Sequence, residues 1–244
     1  YRKVDNATLF DKVKSSNMLN LEEPQCYNPL YSRFFEMTEK NSESLSLNNA
    51  LRLSDIESMD SLNAGKAKVT DANEKEVSKD VFFKFSPLLD PSKYMIGRYD
   101  VSNTDLLSLP NFGSEKGHAK VRDPNNSAYV DSFFTYLTSQ MLHTHNFPHA
   151  LDFYGSFLAK KTDFQVDVCD DLEYLNDSKF FHENRGTLFK VEDGAANALN
   201  FDSRKNKDKI VMDKEDLGID VLQLSDIEDL AALDNIFTNG NMDV

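Results

Sequence analysis

The chain has 244 residues with 41 acids against 27 bases, and its net charge of −14 argues against a general binder of nucleic-acid phosphates. Its 40% hydrophobic residues, with 18 Phe and 9 Tyr, suffice for a folded core, and no apolar run approaches the ~20 residues that cross a bilayer, so no membrane span is expected. Two cysteines, Cys26 and Cys169, stand far apart without metal spacing, which suits a reducing compartment better than a secreted, disulfide-stapled domain. No signal-peptide pattern opens the chain, and a first residue of Tyr1 points to a fragment or a processed product.

Residues 1–52 mix apolar pairs with Asn, Ser and Glu, lack sustained periodicity, and read as a poorly ordered or docking segment. Within it Phe34, Phe35 and Met37 suggest a docking patch, and 41–49 a linker. Ser54-Asp55-Ile56-Glu57 is a capping box that predicts a short helix over 54–62, and Ser225-Asp226-Ile227-Glu228 predicts another over 225–237. The two surroundings match each other, but nothing between them repeats, so two acidic amphipathic helices explain them better than duplication.

From 64 onward the pattern changes to strand and turn. Lys66-Ala67-Lys68-Val69, a polar turn near 71–73 and an apolar run over 81–85 predict a hairpin. Lys84 is embedded in that second, aromatic run, with Val81, Phe83 and Phe85 on one face and Phe82, Lys84 and Ser86 on the other. An ammonium there needs water, a carboxylate or an anionic ligand. A solvated strand face satisfies it, and so does a nucleotide phosphate. Ala64-Gly65-Lys66 is the available phosphate-covering loop, although such loops carry several glycines and this one has only Gly65. Residues 87–126 hold turn signals such as Asp90-Pro91, Pro110-Asn111 and Asp123-Pro124 and read as an ordered, irregular excursion.

Asn126-Ser127 then starts a helix in which Val130, Phe133, Phe134, Leu137 and Met141 recur at three- and four-residue spacing. Asp131 is the acid on this helix and the available partner for Lys84, and it also suits a first-turn acid favouring the helix dipole. The run His143-Thr144-His145-Asn146-Phe147-Pro148-His149 fits a polar helix exit better than zinc ligation, because no cysteine or carboxylate follows at metal spacing. Residues 150–158 read as a second apolar strand; Asp152-Phe153-Tyr154-Gly155 is a near miss to a magnesium-binding Asp-Phe-Gly, with no catalytic loop before it. Asp167, Asp170, Asp171 and Glu173 form a solvated acidic cluster without the spacing or glycine of a calcium loop.

Four strings carry a resemblance. They are Val81-Phe82-Phe83-Lys84-Phe85-Ser86-Pro87-Leu88-Leu89-Asp90-Pro91-Ser92-Lys93-Tyr94-Met95, Asn126-Ser127-Ala128-Tyr129-Val130-Asp131-Ser132-Phe133-Phe134, Leu151-Asp152-Phe153-Tyr154-Gly155-Ser156-Phe157-Leu158 and Leu188-Phe189-Lys190-Val191-Glu192-Asp193. Together, over about residues 80–220, they resemble the N-terminal part of a serine/threonine protein-kinase-like family of giant DNA viruses. The resemblance implies an α+β fold, a small antiparallel sheet with a packed helix like a kinase small lobe, flanked by acidic helices and irregular insertions. It implies domains at 1–52, 53–212 (the lobe with its insertion) and 213–244 (an acidic helix and tail). It also implies ATP and magnesium as cofactors, with Lys84, Gly65 and Asp131 holding the nucleotide. A host-cytoplasm or virion location follows from the same likeness. No His-x-Asp loop followed by asparagine is present, so no catalytic base is assigned and the chain by itself is expected to be inactive. A reading from another class stands beside it: an acidic scaffold or interaction protein of the virus, with 54–62 and 225–237 as partner-docking helices. An isolated lobe would also leave apolar surface uncovered, which predicts self-association.

Overall fold

The computed structural model describes residues 2–192; the chain divides into a unit Tyr1–Asp202 and a second unit Ser203–Val244. The helix expected at 225–237 therefore lies outside the described residues. The architecture is α+β, with small antiparallel sheets and a few helices.

The largest sheet is a meander of β4 (Arg52–Met59), β5 (Ala64–Thr70) and β6 (Glu76–Phe82) in that spatial order. The expected hairpin is present. Its turn is closed by Asp71, whose carboxylate accepts the amides of Asn73 and Lys75 at 2.8 and 2.9 Å. The expected helix at 54–62 is instead strand β4, and the register explains why. Leu53, Ile56 and Met59 lie opposite Val69, Ala67 and Gly65. Residues spaced by three on β4 thus face residues spaced by two on β5, because two β-bulges each insert one extra residue. An apolar spacing that reads as helical is here a twice-bulged strand with one buried face. The side chains of the capping box serve the sheet. Ser54 Oγ donates to the Lys68 carbonyl at 3.1 Å, and Glu57 accepts from Ser78 Oγ across β5.

Residues 1–52 are not a poorly ordered appendage. The helix α1 (Ala7–Ser16) and strand β2 (Leu21–Gln25) place Val13, Leu19 and Leu21 against Ile56 in a buried cluster, and Lys12 reaches Asp55 at 3.0 Å. β2 pairs with β7 (Leu158–Lys161), far along the chain, and β1 (Arg2–Lys3) pairs with β3 (Leu45–Ser46). The stretch expected to be a linker holds Leu45, Leu47 and Asn49, all buried. The Asn41 side chain closes its turn by accepting from the Thr38 amide at 2.7 Å and donating to the Glu36 carbonyl at 2.9 Å. Polar residues that suggest disorder in isolation act here as satisfied buried amides.

The excursion after β6 is ordered and irregular, with α2 (Pro91–Met95) and α3 (Ala119–Arg122) as its short helices. It ends at α4 (Ser127–His145), whose start is fixed by Asn126. That buried side chain accepts from the Ala128 amide at 3.1 Å and donates to the carbonyls of Leu88 and Lys120 at 2.9 and 2.8 Å. Residues 150–157 do not form the expected strand: β7 begins only at Leu158, although the Tyr154 carbonyl accepts the Leu53 amide at 2.9 Å. The acidic cluster leads into α5 (Leu172–Asn176) and α6 (Lys179–Asn184), where Leu175 and Phe181 bury against Met95 and Ile96. Gly97, at φ +73°, permits that packing, since a Cβ there would lie 2.6 Å from the Phe180 ring.

Candidate functional site

β6 ends at Phe82, so Lys84 follows the strand rather than occupying its middle. Its neighbours Phe83 and Phe85 turn inward onto the cluster of Val13, Leu19, Leu21 and Ile56, and Lys84 points out with Phe82, as the alternation predicts. Lys84 meets Asp131 of α4, with Nζ 2.7 Å from Oδ2 and 2.9 Å from Oδ1. The lysine side chain is 64% exposed and the aspartate 43%, so the pair lies in solvent and contributes about 0–1 kcal/mol.

Gly65 does not belong to a phosphate-covering loop. It is a buried position of β5 opposite Met59 and Val81, where a Cβ would lie 2.1 Å from the Ser58 carbonyl oxygen. It is glycine because the bulged β4 backbone approaches it closely. The turn between β4 and β5 carries Asp60 and Ser61, whose amides both donate to the Ala64 carbonyl instead of pointing at a ligand. Gly65 therefore lies apart from the Lys84–Asp131 pair: the two charged residues meet on open surface, and the glycine is a packing position of the sheet.

A second grouping was not singled out in the sequence. Asp152 lies 2.9 Å from His143 Nε2 at the end of α4 and 3.9 Å from Lys79 of β6, whose ammonium sits 5.6 Å from the Tyr154 ring centroid. Burial, followed by the charge of Asp152, pushes the Tyr154 phenol above its ordinary value. An open cavity of about 560 Å³ beside β6 is lined by Lys66, Ser78, Lys79, Asp80 and Tyr154. Two of its lining side chains are cationic, Lys66 and Lys79, and one anionic, Asp80, and the Ser78 hydroxyl is committed to Glu57. The signal for this grouping was the acid in Asp152-Phe153-Tyr154-Gly155 nine residues after His143, but only the fold brings Lys79 to it. Among the described residues no group of three or more His, Cys, Asp or Glu side chains converges on a metal position.

The helix that carries Asp131 has two apolar faces. Tyr129 is buried, with its hydroxyl donating to the Val121 carbonyl at 2.7 Å, and Phe133 and Tyr136 pack on Tyr31, Leu45, Leu47 and Phe153. Val130, Phe134, Leu137 and Met141, which read as part of the core stripe, lie on the other side and are 45–63% exposed. Phe34, itself exposed, stacks on Phe133 with centroids 4.6 Å apart and widens the apolar surface. A surface helix is ordinarily polar on its outer face, and one apolar all round is ordinarily covered. Of the docking patch expected at Phe34, Phe35 and Met37, Phe34 is exposed, whereas Phe35 and Met37 pack against the core.

Fold and site together define a small α+β chain with a lysine–aspartate surface pair and an exposed apolar helix face. The chain matches no family model, and neither a characterised protein nor a solved structure is significantly similar to it. Among the described residues no helix is long and apolar enough to cross a membrane.

Proposed function

We propose that this chain is a non-catalytic interaction protein that docks a partner on the outer face of α4. The carrying observation is the row Val130, Phe134, Leu137 and Met141, exposed on a helix whose opposite face is already committed to the core. An exposed apolar row beside polar and ionic side chains has the anatomy of a docking surface. The acidic composition and the giant-virus resemblance support a scaffold role in the host cytoplasm or the virion. The test is affinity capture with the wild-type chain and with a Phe134→Glu, Leu137→Glu variant whose circular dichroism is unchanged. A partner retained by wild type and by Lys84→Ala but lost from the stripe variant is the expected result. Partners indifferent to the stripe overturn the reading.

The Lys84–Asp131 pair favours a second reading, the nucleotide-binding lobe of a kinase-like protein, because a helix acid positioning a lysine is how kinases hold the α- and β-phosphates of ATP. Calorimetry with ATP and magnesium tests it. Binding abolished by Lys84→Ala supports a nucleotide lobe, whereas equal behaviour of both proteins removes it.

A further inference from the structure

We draw no further inference here: the strongest candidate, the exposed apolar face of α4 formed by Val130, Phe134, Leu137 and Met141, belongs to the docking surface already described, and nothing in the structure shows what covers it.

Discussion

At Gly65 the backbone, not a ligand, dictates the residue. The bulge between Ile56 and Ser58 brings the Ser58 carbonyl against the position a Cβ would take, so Gly65→Ala forces β4 and β5 apart. We expect it to destabilise the protein by about 1–3 kcal/mol, the usual range for overpacking, as read by urea denaturation. A phosphate-loop glycine would instead tolerate alanine in the absence of nucleotide, so unchanged stability would reopen that role. Lys84 is the counterexample. The alternation of aromatic residues around it shows its outward direction in the sequence, and its partner could be named because α4 offers one carboxylate. Gly65 could not be read correctly, because the atom that forbids its side chain belongs to the neighbouring strand.

For the elements, legibility followed how local their determinants are. The start of α4 is written in Asn126-Ser127 and the β5–β6 turn in Asp71, since a cap or an Asx turn is satisfied within three or four residues. β4 was misread because two bulges change its apolar period from two to three, and bulges are properties of a pairing. Asn126 also shows how a cap can exceed its local task, with both amide hydrogens engaged by carbonyls of the excursion. Asn126→Ala removes the cap and leaves the part-buried Leu88 and Lys120 carbonyls without that donor. A loss of about 2–3 kcal/mol is expected, against about 1 for an exposed cap, by chemical denaturation. A loss no greater than an ordinary cap would mean that the excursion does not lean on this side chain.

Across the whole molecule, three buried groups share one dependence on pH. Burial pushes the Cys26 thiol up from 9.0 to about 11 against the lowering effect of its Asn6 hydrogen bond, and pushes the Tyr31 phenol up from 10.0 to about 12. Tyr129 is raised for the same reason. Each holds its proton more tightly folded than unfolded. Their contribution is therefore fully present below pH 9, where the unfolded thiol begins to ionise, and is lost as pH climbs through the folded values. Thermal unfolding should show a midpoint unaffected by these groups up to about pH 9 and falling beyond it, less steeply in Cys26→Ala. A midpoint level through about pH 11, or the same decline in Cys26→Ala, would contradict this.

The sequence by itself determined the hairpin, the irregular excursion and the helix beginning at Asn126, because turn and cap chemistry is settled between near neighbours. It also carried the outward direction of Lys84 and offered Asp131 as one partner for it, beside a first-turn role at the helix dipole; the structure decided between them. Only the tertiary structure decided that residues 1–52 build the core, that β4 is a bulged strand and that α4 turns half of its apolar residues outward. Those outcomes depend on which distant surface each segment meets. Spacing on one helix shows that apolar stripes exist, whereas choosing which stripe is buried takes Tyr31, Leu45, Leu47 and Phe153 arriving from elsewhere in the chain.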